Sequence, residues 1–89
     1  MKHFRRLNLI SLKAAHKFAS NNKIWLAKAD RCSCFYCLAL FEPSEITEWL
    51  EIEDTALCPY CMIDSVLPEL DILPLSREFL NDMHQQWFG

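Results

Sequence analysis

Two four-residue stretches decide how this chain of 89 residues folds: Cys34–Cys37, with the sequence Cys-Phe-Tyr-Cys, and Cys58–Cys61, with the sequence Cys-Pro-Tyr-Cys. Twenty residues separate the two pairs. Two residues between cysteines allow a tight turn to direct both sulfurs at one ion, and two such turns supply the four thiolates of a tetrahedral zinc site. We therefore predict one zinc ion, bound by Cys34, Cys37, Cys58 and Cys61.

The predicted zinc is structural, because a closed shell of four sulfurs leaves no position for water or substrate. Its binding free energy becomes folding free energy, which a chain this short otherwise lacks. We expect no signal peptide and a cytoplasmic location, where five cysteines favour metal binding over disulfides. The fifth, Cys32, is a candidate to replace Cys34 as ligand, although we favour a free, partly buried thiol.

Cys58–Cys61 also resembles the active-site tetrapeptide of glutaredoxins. A thioredoxin-like domain places that motif after a buried strand near the start of a βαβ unit. Here only a short tail without a convincing strand pair follows Cys61, and the pair Cys34–Cys37 would have no role. We therefore prefer zinc to a redox function.

Hydrophobic periodicity predicts helices at both ends of the chain. Apolar residues at helical spacing indicate a helix over about residues 5–20. Asn22 is a candidate N-cap for a second helix that ends near Ala29. Ser76 should cap a final helix, whose apolar face is formed by Phe79, Leu80, Met83 and Trp87.

The middle of the chain predicts short strands and helical turns around the cysteines. Residues 38–41 and 55–57 are short, apolar and typical of strands. Pro43-Ser44 should begin a short helix with Ser44 as N-cap, and residues 62–67 should continue as a helical turn from the second cysteine pair. The buried side of the first of these helices would comprise Ile46, Trp49 and Leu50.

The fold class is therefore a small α+β domain stabilised by zinc. The run Cys58–Leu67 suits a treble-clef-like core, in which the first pair forms a knuckle and the second lies at a helix start; a zinc ribbon, with both pairs on hairpin knuckles, is the alternative. We predict a single domain with a basic helical segment (residues 1–31), a zinc module (residues 32–67), and a connection with the C-terminal helix (residues 68–89).

Several stretches beyond the cysteines resemble a family of small bacterial four-cysteine proteins described only as "cytoplasmic protein" or as uncharacterised. The stretches are Cys32–Cys37, Phe41–Ile46, Glu48-Trp49 and Ala56–Val66. The resemblance covers about residues 14–67 and implies zinc at the four paired cysteines, but it implies no activity. Met62 departs from the family pattern, in which Gly follows the second pair.

The net charge of −3 conceals a strong asymmetry along the chain. The first 31 residues contain eight Lys and Arg against one Asp, a net charge of +7. The other 58 contain one Arg against eleven acids, a net charge of −10.

The acidic part suggests a protein-interaction module, since dense negative charge attracts basic partners and speeds association. Bacterial nuclease inhibitors, immunity proteins and phage anti-defence proteins use such surfaces. Trp49 is a candidate interface anchor, although we favour a core position for this residue. The candidate partner surface comprises Glu42, Glu45, Glu48, Trp49, Glu51, Glu53 and Asp54.

The alternative function is nucleic-acid binding through the basic segment, with steep salt dependence. The candidate phosphate contacts are Arg5, Arg6, Lys13, Lys17, Lys23 and Lys28, with Arg31 beyond them. In a third interpretation the basic and acidic parts pack together and neutralise each other, within one chain or between two chains of a homodimer. No catalytic set or phosphate-binding loop is visible, so we expect the protein not to be an enzyme.

Overall fold

An antiparallel sheet of three short strands lies at the centre of the computed structural model, which describes residues 10–89. The strand β1 (Cys32–Cys34) pairs with β2 (Leu40–Phe41) on one side and with β5 (Val66–Pro68) on the other. A separate two-stranded hairpin joins β3 (Trp49–Leu50) to β4 (Thr55–Ala56). The predicted strands at 38–41 and 55–57 are thus present in shortened form.

In the part of the chain that the structure describes, three α-helices complete the α+β fold: α1 (Leu12–His16), α2 (Lys23–Lys28) and α3 (Arg77–Phe88). A 3-10 turn at Lys17–Ala19 extends α1. Within the described residues, the helix predicted over 5–20 begins at Leu12, where Ser11 accepts a hydrogen bond from the N–H of Ala14 and caps α1. Residues 5–9 of that prediction lie outside the described part of the chain.

The predicted C-terminal helix is confirmed. Ser76 Oγ accepts a hydrogen bond from the N–H of Phe79 at 3.1 Å and caps α3. Phe79, Leu80 and Met83 are buried on its inner face, whereas Trp87 remains 37% exposed.

Asn22 precedes α2 as predicted, but its side chain does not cap the helix. The side chain is fully buried, and its Nδ2 donates to the carbonyl oxygens of Phe18 and Val66, both at 2.9 Å. Its Oδ1 accepts from the N–H of Ala56 at 3.1 Å. One side-chain amide therefore joins the N-terminal helical segment to β5 and to β4.

The helix predicted from Pro43 is wrong. Residues Pro43–Glu45 form a single 3-10 turn with Glu42, rather than Ser44, at its N-cap. Proline at the start of the turn is tolerated because its missing N–H would be unpaired there. The chain becomes extended at Ile46, and Trp49–Leu50 enters the hairpin because it pairs with Thr55–Ala56.

The helical turn predicted over residues 62–67 is also wrong. Met62 adopts the left-handed conformation, with φ of 64°, and the chain then runs into β5. Val66 lies opposite Cys34 in the sheet, so strand pairing with β1 replaces the local helix. No helix follows the second cysteine pair directly.

The core has two parts that meet at β1 and β5. The helical cluster packs α1 and α3 around Phe35 and Leu67. The cysteine cluster packs Leu26, Phe41 and Ile46 against the buried cysteines. The sheet thus connects a helical core to the cysteine region.

Candidate metal centre

Both cysteine pairs lie in turns of the same backbone geometry. We call residues 34–39 the first knuckle and residues 58–63 the second knuckle. In each, the N–H of the first cysteine donates to the carbonyl of the residue five positions later at 3.0 Å. The N–H of the residue four positions later donates to the carbonyl of that first cysteine at 2.8 Å. The N–H two residues after the first cysteine donates to its sulfur at 3.3 Å. Leu38 and Met62, which follow the second cysteines, have φ of 67° and 64°.

The two knuckles bring the four predicted sulfurs together. All four Sγ atoms lie within 4.8 Å of one another. Cys34 Sγ is 3.6 Å from Cys61 Sγ, and Cys37 Sγ is 3.7 Å from Cys58 Sγ. A tetrahedral ion with metal–sulfur bonds of about 2.3 Å holds its sulfurs roughly 3.8 Å apart. The cluster is therefore compatible with one metal ion.

The surroundings of Cys34 favour its metal-binding thiolate form, in contrast to those of Cys37 and Cys61. Its burial disfavours the charged form, but hydrogen bonds from Ser65 Oγ and from the N–H groups of Cys37 and Tyr36 outweigh this effect. The pKa of Cys34 consequently lies below its ordinary value. The environment favours the thiolate, which is the form that binds metal.

Cys37 and Cys61 behave in the opposite way. Burial raises the pKa of each thiol, and the negative charge of Cys34 raises it further, against a hydrogen bond from one backbone N–H. Four adjacent thiolates therefore repel one another in the absence of a cation. A divalent ion removes this repulsion, and its binding releases protons from the cluster.

The first knuckle is held by the helical core. Phe35 is 1% exposed and packs in the helical cluster. Its N–H donates to the carbonyl of Ser65 at 3.0 Å, and its own carbonyl accepts from His84 Nδ1 at 3.1 Å. The neighbouring Tyr36 packs edge-on against Phe88 with ring centroids 4.8 Å apart. Side chains of α3 thus support this knuckle directly.

The second knuckle lies at the edge of the molecule. Tyr60 and Met62 are 62% and 50% exposed. The hydroxyl of Tyr60 donates to Glu45 Oε1, and its ring packs against Phe41 with centroids 5.7 Å apart. Glu45 also accepts from the N–H of Glu42 at 2.9 Å, so the 3-10 turn is the support for this knuckle.

Cys32 takes no part in the cluster. It is fully buried in β1, and its sulfur is directed at the carbonyl of Phe41 at 3.5 Å. Burial raises its pKa to about 12, and the charge of Glu45 adds to the effect. The expected free thiol is therefore present, but it is completely rather than partly buried, and it does not stand in for Cys34.

The predicted acidic surface residues are all exposed: Glu42, Glu45, Glu48, Glu51, Glu53 and Asp54. They lie on the 3-10 turn and the β3–β4 hairpin rather than on one helix. Trp49 is half-buried among them, with Lys23 Nζ 5.0 Å from its ring centroid.

The basic residues Lys13, Lys17, Lys23 and Lys28 are also exposed, whereas Arg5 and Arg6 lie outside the described part of the chain. The N–H of Lys23 donates to the carbonyl of Asp54 at 3.2 Å, so α2 packs beside the acidic hairpin. Within residues 10–89 the one ion pair joins Arg31 to Glu69 at 2.7 Å. Within residues 10–89, this pair therefore joins the basic segment to the acidic part, and no carboxylate of the β3–β4 hairpin forms an ion pair.

Three supporting residues were missed in the sequence: Ser65 on Cys34, His84 on the first knuckle, and Asn22 between the helices and strands. Their roles depend on contacts between distant parts of the chain. None of the three carries a local signal in the sequence, since even Asn22 lies among the polar residues Ser20, Asn21 and Lys23.

Comparison with known protein families, with characterised proteins and with solved structures finds no match. The resemblance to the bacterial four-cysteine family therefore stays a prediction. Among residues 10–89, no helix has the length and apolar character that crossing a membrane requires.

Proposed function

We propose that this protein is a non-enzymatic, zinc-stabilised module that binds another protein through its acidic surface. The observation that carries the metal part is the pair of equivalent knuckles, which surround one position with four sulfurs. Cysteine-only tetrahedral coordination is typical of zinc. Cys34, Cys37, Cys58 and Cys61 would hold the ion, which supplies folding energy and leaves no coordination site for chemistry.

A zinc-ribbon-like core describes this arrangement better than a treble clef. Both pairs lie on hairpin-like knuckles of the same geometry. A treble clef would need a helix at the second pair, where the chain instead forms a turn and β5.

The interaction part of the proposal is supported by the exposed carboxylates of the 3-10 turn and the β3–β4 hairpin. None of them forms an ion pair with residues 10–89. Exposed charge of one sign speeds association with a partner of the opposite sign and contributes to specificity. An inhibitor of a basic, nucleic-acid-binding protein would use such a surface.

The test compares reversal of charge on the two regions. The variant Glu48→Lys/Glu51→Lys changes two exposed acids that make no side-chain hydrogen bond with residues 10–89, and Lys13→Glu/Lys17→Glu is the matched control. We expect affinity capture from a lysate of the source organism, quantified by mass spectrometry, to lose its specific partner only with the first variant. A partner that depends on neither pair would contradict the proposal.

The same two variants distinguish nucleic-acid binding and self-association. Loss of duplex DNA binding in Lys13→Glu/Lys17→Glu alone, measured by fluorescence anisotropy at two salt concentrations, would establish the alternative function. A native mass of two chains that falls to one chain in either variant would identify the partner as a second copy.

A further inference from the structure

The acidic region contains two hollows that both have Trp49 in their lining. One hollow of about 450 Å³ lies between α2 and the 3-10 turn, and a second of about 340 Å³ lies beside the β3–β4 hairpin. Lys23 and Trp49 line both hollows, so the two lie next to each other at these side chains. We call this feature the Trp49 trough. Its remaining apolar lining comes from Leu26, Ala27, Ala29 and Pro43.

The charges of the Trp49 trough are strongly unbalanced. Five carboxylates line it, and Lys23 is the one cation among its lining residues. None of these carboxylates forms an ion pair within residues 10–89. The acids are Asp30 and Glu42 in the first hollow and Glu48, Glu51 and Asp54 in the second.

Lys23 shows what kind of group this trough accepts. Its ammonium lies 5.0 Å from the centroid of Trp49, where a cation is attracted by the face of the ring. The Lys23 side chain is exposed, so a second cation can displace it. An arginine would gain more from this position than a lysine, since its planar guanidinium stacks on aromatic rings and binds carboxylates with two hydrogen bonds.

We propose that the Trp49 trough binds a short basic segment of a partner protein, with an arginine side chain stacked on Trp49 in place of Lys23. The carboxylates of the two hollows bind the flanking basic residues. The apolar side chains of the first hollow contact the aliphatic residue next to the arginine. The proposal rests on the proposed interaction function and specifies where and how the partner is recognised.

The chain contains a matched control for this site. Lys28 lies over Trp25 at 5.4 Å from the ring centroid, and Trp25 is 40% exposed. That pair has the same two residue types but is not part of the Trp49 trough. If a peptide cation bound to any exposed tryptophan, changes at both pairs would affect binding. If the trough is required, only changes at Lys23 and Trp49 would affect it.

The experiment titrates the zinc-loaded protein with the peptide acetyl-Gly-Leu-Arg-Leu-Arg-Gly-amide and with its counterpart in which citrulline replaces arginine. Two-dimensional ¹H–¹⁵N NMR resolves the three tryptophan indoles. We expect the arginine peptide to shift the Trp49 indole, and the neutral citrulline peptide to bind at least about tenfold more weakly. Equal binding of the two peptides would overturn the proposal.

Two pairs of variants localise the effect. Trp49→Leu should weaken peptide binding roughly tenfold and Trp25→Leu should leave it unchanged. Lys23→Ala should tighten binding about threefold or more, because it removes the competing cation, and should exceed Lys28→Ala, which changes the net charge equally. If Trp49→Leu fails to fold, the two lysine variants decide, and equal effects of the two would overturn the proposal.

The outcomes separate this proposal from the function on which it rests. If Glu48→Lys/Glu51→Lys abolishes partner capture while the Trp49 and Lys23 variants bind partner and peptide normally, the acidic surface functions but the trough is not the binding site. If no variant of either set affects a partner, both proposals are refuted.

Discussion

The two knuckles have the same backbone but very different surroundings. The first, residues 34–39, is inserted into the helical core through Phe35 and is supported by His84 and Ser65. The second, residues 58–63, buries Cys58 in the cysteine cluster, but its Tyr60 and Met62 are exposed and Tyr60 contacts Glu45. Equal ligand geometry therefore coexists with unequal packing. We infer that packing holds the first knuckle in place more firmly than the second, whose position depends more on the metal.

The largest difference should appear on loss of a ligand from each knuckle. Cys34→Ser removes a buried sulfur that accepts hydrogen bonds from Ser65 Oγ and from the N–H groups of Tyr36 and Cys37, and structural zinc contributes about 10–16 kcal/mol in small zinc domains. Since net stabilities are on the order of 5–15 kcal/mol, we expect this variant to be unfolded at 25 °C. Cys61→Ser, at a half-exposed position, should remain folded with weaker zinc binding, as judged by circular dichroism and zinc competition.

The control for these variants is Cys32→Ala. Cys32 is buried but lies outside the sulfur cluster, so this variant should retain one zinc ion per chain. Cys58→Ser, at the buried position of the second knuckle that corresponds to Cys34, should also lose less structure than Cys34→Ser, and equal losses in these two variants would contradict the inferred difference between the knuckles.

The next effect concerns the residue that follows the first cysteine in each knuckle. Phe35→Ala should lower the free energy of unfolding of the zinc-loaded protein by about 3–5 kcal/mol, because it leaves a cavity in the helical cluster. The matched change Pro59→Ala, at a half-buried edge position, should cost less than about 1 kcal/mol. Urea unfolding of both variants measures the difference, and similar losses would refute it.

A smaller effect of opposite sign is expected at the left-handed residues. Met62→Gly should stabilise the protein by about 1 kcal/mol, because glycine removes the steric cost of positive φ and the methionine is half exposed. Leu38→Gly relieves the same strain but loses packing against the helical cluster, so it should be neutral or destabilising. Thermal unfolding of the zinc-loaded variants separates the two; stabilisation of both by the same amount would show that Leu38 contributes no packing.

The smallest effect involves the exposed bond between Tyr60 and Glu45. Hydrogen bonds from the N–H of Glu42 and from Tyr60 hold the pKa of Glu45 below its ordinary value of 4.5. A carboxyl with a lowered pKa stabilises the folded state above its ordinary pKa and loses this contribution as the pH falls. The urea midpoint of Glu45→Gln should thus lie slightly below that of the parent protein at pH 6–7 and converge with it on acidification.

A double-mutant cycle with Tyr60→Phe tests whether the bond itself is responsible. The two substitutions should be non-additive, because either one removes the same hydrogen bond. Additive losses would assign the effect of Glu45 to the 3-10 turn alone.

The sequence was most informative where chemistry or capping is local. The spacing of the cysteines correctly predicted that four sulfurs cluster, and Ser76 with its apolar face correctly predicted α3. The helices predicted at Pro43 and over 62–67 are wrong, because pairing with β4 and β1 overrides the local preference. Strand pairing joins residues far apart in the chain, and a single short segment carries little sign of its partner.

The supporting contacts could not be predicted for the same reason. Ser65 is only one of several small polar residues, and nothing local indicates that it lies 3.2 Å from Cys34 Sγ. Met62, by contrast, stands where glycine was expected, and its positive φ explains why glycine would suit that position. A departure from an expected residue type was therefore informative about the backbone.

The most direct test of the central claim is native mass spectrometry of the purified protein, combined with circular dichroism before and after chelation. We predict one zinc ion per chain, and loss of the folded spectrum together with the metal. A metal-free chain that keeps its full folded spectrum with all five thiols reduced would contradict the claim that the two knuckles fold around one structural ion.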